Sequence, residues 1–183
     1  MKRPRTEALL LLSCLPCITA VTPHIVLLRF ADHIDRTLPE AAAHYRSLCA
    51  DTAAAYLQEQ SYGQYTVDDC VVHDWITLNV TESQVARPMG GLFSANRNAD
   101  WFLPYVPDTT NIDHLIVMHS GLGAEAGECF AELNINPLDR ILSQAYWESN
   151  VPGLEDGYAI VSGLDATCSP RMPATLGVFV HEW

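Results

Sequence analysis

Two short, mainly apolar runs stand out along the chain, Ile25–Phe30 (IVLLRF) and His114–His119 (HLIVMH). Both have strand length, and strands covered on both faces read as continuous apolar runs rather than alternating ones. Tyr158–Val161 is a third, shorter strand. Between the first two, Pro39-Glu40 opens a stretch dominated by Ala, Leu, Tyr and Gln from Ala41 to Gln60, which predicts a helix. Ser61-Tyr62-Gly63 closes it, with Gly63 at the expected cap. Tyr65–Val72 and Trp75–Val80 read as two strands joined at His73-Asp74. Residues 86–111, rich in Pro, Gly and Asn, read as loop with some helix, and Ser120–Gly127 as a glycine-punctuated loop. Pro173–Trp183 opens a second helix, with Pro173 in its first turn. The order of elements predicts a mixed α/β, or α+β-like, domain with one sheet and few helices.

Composition narrows the function classes. The chain has 183 residues, enough for one domain with a sizeable core. Hydrophobic residues make up 49% and charged residues 17%, which excludes a disordered chain and a solvated coiled coil. The net charge of −12 repels phosphate backbones, so nucleic acid is not an expected partner. Lys2, Arg3 and Arg5, the apolar run Ala8–Ile18 and the small residue Ala20 have the layout of a secretory signal over residues 1–20. That run is short for a membrane span, and no later window is long and apolar enough to be one. Removing residues 1–20 leaves seven Arg, no Lys and 21 acidic residues, a net charge of −14 on residues 21–183.

Secretion changes the meaning of the cysteines. Cys14 and Cys17 leave with the signal, and Cys49, Cys70, Cys129 and Cys168 remain. Four cysteines in an oxidising compartment predict two disulfides, with three connectivities open. A four-Cys zinc site is the competing reading, but no pair has C-x-x-C spacing. Asn79-Val80-Thr81 is a glycosylation sequon, which predicts a surface loop at Asn79.

The chemistry-bearing motifs are short. His181-Glu182, behind the apolar run Leu176–Val180, matches the first two residues of H-E-x-x-H. On a helix, residues four apart share a face, so two such imidazoles can grip one Zn²⁺ while the Glu polarises its water. The second His would stand at position 185, beyond the residues of this sequence. Gly121-Leu122-Gly123-Ala124-Glu125-Ala126 fits G-x-G-x-x-A, the dinucleotide pattern, but lies mid-chain with no clean βαβ unit after it. No G-x-S-x-G elbow is present. Asp113, His114, His119, Glu125 and Glu128 are candidates for acid–base work that no spacing singles out. Asp68-Asp69 reads as solvated. Such carboxylates are of a kind that takes Ca²⁺, although no EF-hand spacing occurs.

In order along the chain, six segments together resemble the peptidase M6 family, the immune-inhibitor-A-like secreted zinc metalloproteases. They are Val26–Asp32 (VLLRFAD), Glu59–Val67 (EQSYGQYTV), Trp75–Leu78 (WITL), Asp113–Gly121 (DHLIVMHSG), Gly123–Gly127 (GAEAG) and Leu176–Trp183 (LGVFVHEW). The resemblance implies a zincin-like N-terminal subdomain, a twisted mixed sheet packed on the active-site helix. It also implies secretion, Zn²⁺, and hydrolysis of peptide bonds in protein or peptide substrates. His181 would be the first zinc ligand and Glu182 the general base; Trp183 stands where the family has an aromatic residue. His119 is assigned to strand packing. The expectation is a fragment of the catalytic domain over residues 21–183, incomplete at its C-terminus; a chain that truly ended at residue 183 is expected to be inactive, because the second zinc His is absent. The alternative is a secreted, non-catalytic binding module of the same fold. A monomer is the expected state.

Overall fold

A computed structural model describes residues 19–34, 41–87, 99–106, 112–123, 136, 140–141, 143–146, 152–154 and 157–164. The two apolar runs become adjacent interior strands of a mostly parallel sheet. β1 (Thr19–Val21) is followed by β2 (Pro23–Arg29). Helix α1 (Ala41–Ser47) widens into a π-helical turn over Leu48–Ala53 and continues as α2 (Ala54–Gln60), 20 helical residues without a break. The Ala54 N–H reaches back to the Cys49 carbonyl, the five-residue step of a π-turn. The chain leaves α2 through Tyr62 and Gly63, at φ 55° and 77°. Glycine enters that left-handed region without steric cost, and so closes the helix as its sequence position predicts.

Three short strands follow, β3 (Tyr65–Val67), β4 (Val71–Val72) and β5 (Ile76–Thr77). Sequence reading expected two longer strands joined at His73-Asp74. The first of these instead breaks at Asp68–Cys70, and none of the three pairs with another. β3 pairs with β1 in a separate parallel ladder, while β4 and β5 both run parallel to β2 along one edge. The acidic pair Asp68-Asp69 is exposed, and Asp69 Oδ1 accepts the Cys70 N–H at 2.7 Å, so local side-chain bonding replaces the ladder there.

Helix α3 (Glu82–Ala86) and a 3₁₀ segment (Ala99–Tyr105) lead to β6 (His114–Leu122), then β7 (Gln144–Tyr146) and β8 (Tyr158–Leu164). The main sheet has the order β4-β2-β6-β8-β7, parallel except for β7, which runs antiparallel to β8 at the edge. The expected loop at Ser120–Gly127 starts later than its glycines suggest. Ser120, Gly121 and Leu122 extend β6 through an irregularity in its register with β8. Ser162 holds that irregularity, donating from Oγ to the Gly121 carbonyl at 2.7 Å and accepting the Gly123 N–H at 2.9 Å.

Both sheet faces are buried, which is why β2 and β6 lack polar alternation. Ile25, Leu27, Ile116, Met118, Ala159 and Val161 face the long helix through Ala41, Tyr45, Cys49 and Ala53. Val26, Leu28, Phe30, Leu115, Val117, Tyr158 and Ile160 face a second layer that includes Leu78, Ala86, Phe102, Ile112, Ile141 and Leu154. The Tyr45 hydroxyl donates to the Gly163 carbonyl at 2.6 Å, pinning the helix across β8, and burial raises its pKa. Cys49 and Cys70 form a disulfide inside the first layer, Cα atoms 6.2 Å apart, tying the π-turn to the chain before β4. This settles one of the two expected bridges and removes the four-Cys zinc reading; Cys129 and Cys168 lie outside the described residues. No helix among the described residues is long and apolar enough to cross a membrane.

Candidate functional site

In open parallel sheets the carboxyl ends of the strands gather polar groups, because chain reversals there free backbone donors and acceptors from the ladder. Here the ends of β2 and β6 do so, together with the start of α3. Thr81 caps α3 with a full capping box: its Oγ1 accepts the Gln84 N–H at 3.3 Å, and its own N–H reaches Gln84 Oε1 at 2.8 Å. The box sets Glu82 at the first helical position, its N–H on Asp32 Oδ1 at 3.3 Å. The Glu82 side chain is then fully buried beneath the ends of β2 and β6.

The partners of that carboxylate come from three separate segments. Arg140 Nη1 donates to Glu82 Oε2, and the Ile141 N–H donates to Oε1 at 3.2 Å. His33 Nε2 lies 3.5 Å from Oε2, and His119 Nδ1 lies 3.9 Å from Oε1. Arg140 Nη1 is also 3.3 Å from His33 Nε2. A guanidinium can only donate, so His33 Nε2 accepts, and the His33 proton sits on Nδ1, directed to Ser120 Oγ at 3.3 Å. Ser120 Oγ accepts the Phe30 N–H as well, at 3.1 Å. The Gly121 N–H donates to His119 Nδ1 at 3.1 Å, which puts the His119 proton on Nε2. That atom is buried without a hydrogen-bond partner among the described residues, as is Arg140 Nε.

Burial dominates the electrostatics. It pushes the Glu82 carboxyl up to about 7, against the Arg140 charge and the Ile141 N–H, which pull it back toward its ordinary range. Burial likewise lowers His119 to about 3, helped by His33 and Arg140 beside it. The site is therefore a buried network of one carboxyl group, one guanidinium and two imidazoles, of which His119 is held neutral by burial. Asp32, with its side chain 42% exposed, is its link to solvent. Gly121 is part of the design, because a Cβ there would stand 2.5 Å from Glu82 Oε1. This contradicts the dinucleotide reading of Gly121–Ala126, since Gly121 lies within a strand and its missing side chain makes room for a carboxylate.

The structure places the other sequence candidates unevenly. His119 packs in β6 and joins the network. Asn79 is exposed in a bend, and its sequon threonine is the α3 cap. Asp113 is exposed and accepts the Thr22 N–H at 3.1 Å. His181, Glu182, Glu125 and Glu128 lie outside the described residues, so nothing brings them together with this cluster. Glu82, Arg140 and His33 were not singled out by sequence reasoning. The one local signal was the T-x-x-Q box at Thr81–Gln84, which marks a helix start but not the burial of the Glu inside it.

Among the described residues, no group of three or more His, Cys, Asp or Glu side chains is arranged to hold a metal ion. In the polar network Arg140 occupies the face of Glu82 that a cation would need. The chain matches no protein-family model, no curated protein and no solved structure.

Proposed function

We propose that the chain is part of a secreted zinc-dependent metallopeptidase of the M6-like kind, with the described sheet as scaffold for a catalytic helix. The observation that carries this reading is the order of elements. A mixed, mostly parallel sheet ends in β8, and the sequence after it runs on to Leu176–Glu182, the stretch that resembles the catalytic helix. The Cys49–Cys70 disulfide and the exposed sequon Asn79 support an extracellular setting. His181 would hold the zinc ion, and Glu182 would take the proton of the attacking water. Bound zinc supplies a polarised water for attack on a peptide carbonyl.

The buried network has a supporting role in this reading. It joins β2, α3, β6 and the Arg140–Ile141 segment into one rigid end of the sheet, the end at which α/β folds present their sites.

The test is made on the full-length secreted product of the gene, assayed for zinc by elemental analysis and for hydrolysis of a quenched fluorogenic peptide. The expected result is stoichiometric zinc and chelator-sensitive hydrolysis. Glu182→Gln should keep the zinc and abolish hydrolysis, and His181→Ala should lose both. Hydrolysis indifferent to Glu182→Gln overturns the mechanism. A folded product without hydrolysis returns the question to a non-catalytic binding module.

A further inference from the structure

The opposite end of the sheet carries two imidazoles that the reading above does not use. His24 lies on β2, beside β4, and His73 follows β4 directly, its N–H extending the ladder to the Ile25 carbonyl at 2.9 Å. His24 Nδ1 and His73 Nε2 face each other at 3.5 Å, with ring centroids 5.7 Å apart and planes inclined by 34°. Two nitrogens bound to one tetrahedral zinc-like ion lie about 3.4 Å apart. The two nitrogens are therefore already close to the spacing that one such ion imposes, and an ion would take the place of the proton they share. Both rings are half-buried, so their placement is set by the sheet while one side stays open to solvent.

The surrounding charges suit a cation. Burial lowers the pKa of His24, as does His73, and the Asp113 carboxylate raises it in part. The lowered pKa favours the unprotonated ring that a metal ligand requires. The Thr22 N–H fixes Asp113, which is exposed and near enough to act on His24 electrostatically. No third His, Cys, Asp or Glu is arranged to complete a protein cage among the described residues. An ion here would keep waters in its remaining positions and exchange readily.

The geometry points to a two-imidazole site at His24 and His73 for an exchangeable borderline divalent cation of the zinc or nickel type, with Asp113 as an outer anionic partner. Imidazole ligands exclude Mg²⁺ and Ca²⁺, which take oxygen donors. Such an ion would clamp the β4 edge to β2, far in the sheet from the network around Glu82.

The experiment is a ZnCl₂ titration of the full secreted chain carrying His181→Ala, with ¹⁵N-labelled histidine followed by NMR at pH 7.5. The substitution keeps the proposed catalytic zinc from contributing, so this site stands or falls independently of the peptidase reading. The expected result is joint saturation of the His24 Nδ1 and His73 Nε2 signals by one ion. His24→Ala and His73→Ala should each weaken binding tenfold or more, and Asp113→Asn less. Lowering the pH should weaken binding, because protons compete for the ligating nitrogens. Unshifted His24 and His73 signals at saturating zinc overturn the site. So does undiminished affinity in a folded His73→Ala variant.

Discussion

The two ends of the parallel sheet use similar residues in opposite ways. At the carboxyl end, Glu82, Arg140, His33, His119 and Ser120 are buried together, and Glu82, Arg140, His33 and Ser120 are linked by hydrogen bonds. At the amino end, His24, His73 and Asp113 remain half-buried or exposed, and the two imidazoles share a single contact. The difference is one of desolvation. A buried carboxylate must be paired where it stands, so the sealed cluster behaves as structure. An open imidazole pair can exchange its mutual contact for a proton or an ion.

The sharpest way to break that contrast is to remove Glu82. Glu82→Ala leaves Arg140 buried without its counter-charge, and losses of this kind run to about 3–5 kcal/mol. A urea unfolding midpoint should fall accordingly. His24→Ala at the other end should cost well under half as much, because its nitrogen loses one long contact in a half-solvated place. Equal losses at the two ends would dissolve the distinction.

The sheet was largely legible in the sequence, and the sealed cluster was not. Ile25–Phe30 and His114–His119 announce strands covered on both faces, and Ala41–Gln60 with Gly63 announces the long helix. These signals are local: runs, propensity and a cap. The short strands were misread because Tyr65–Val72 and Trp75–Val80 look like a hairpin, whereas their partners, β1 and β2, lie earlier in the chain. β7 and α3 went unseen because three and five residues carry too little periodicity to register. The Glu82 network draws on residues up to 107 positions apart, and no spacing encodes that. Gly121 shows the ambiguity directly, since a glycine kept small for a carboxylate looks the same in sequence as one kept for a phosphate.

The pH profile offers the next largest effect. Folded His119 stays neutral down to about pH 3, whereas an unfolded histidine titrates near 6.5. Its contribution to stability is complete above 6.5 and is lost as the pH falls toward 3. Glu82 runs the other way: its folded carboxyl keeps a proton up to about 7, against 4.5 when unfolded, so its contribution is complete below 4.5 and is lost as the pH rises to 7. Between 4.5 and 6.5 the two slopes oppose each other. Stability of the parent relative to Glu82→Gln, followed by urea midpoints, should decline between pH 4.5 and 7 and be level below that window. A difference that stays level throughout would show that Arg140 holds Glu82 ionised in the interior.

Gly121→Ala probes the same cluster sterically. Its Cβ would stand 2.5–2.7 Å from the Glu82 carboxyl atoms, and overpacking of this kind costs about 1–3 kcal/mol. The clash is with Glu82 alone among the nearest atoms, so the cost should shrink in a Glu82→Ala background. Additive losses in the double variant would mean that the strand irregularity at Gly121, rather than the carboxylate, demands the glycine.

The smallest expected effect separates modification from structure at one tripeptide. Thr81 is both the acceptor threonine of the Asn79 sequon and the cap of α3, the helix that delivers Glu82 to the sealed cluster. Thr81→Ala removes the cap and the sequon together, and should cost about 1 kcal/mol while abolishing any glycan at Asn79. Asn79→Gln removes the glycan and leaves the capping box, so in glycan-stripped protein its unfolding midpoint should match the parent. Thr81→Ser keeps an oxygen for the Gln84 N–H and a serine for the sequon, and should preserve both properties. If stripped Asn79→Gln is as unstable as Thr81→Ala, the stability of this corner comes from the Asn79 bend and not from the threonine cap. The route from capping box to buried carboxylate would then lose its first link.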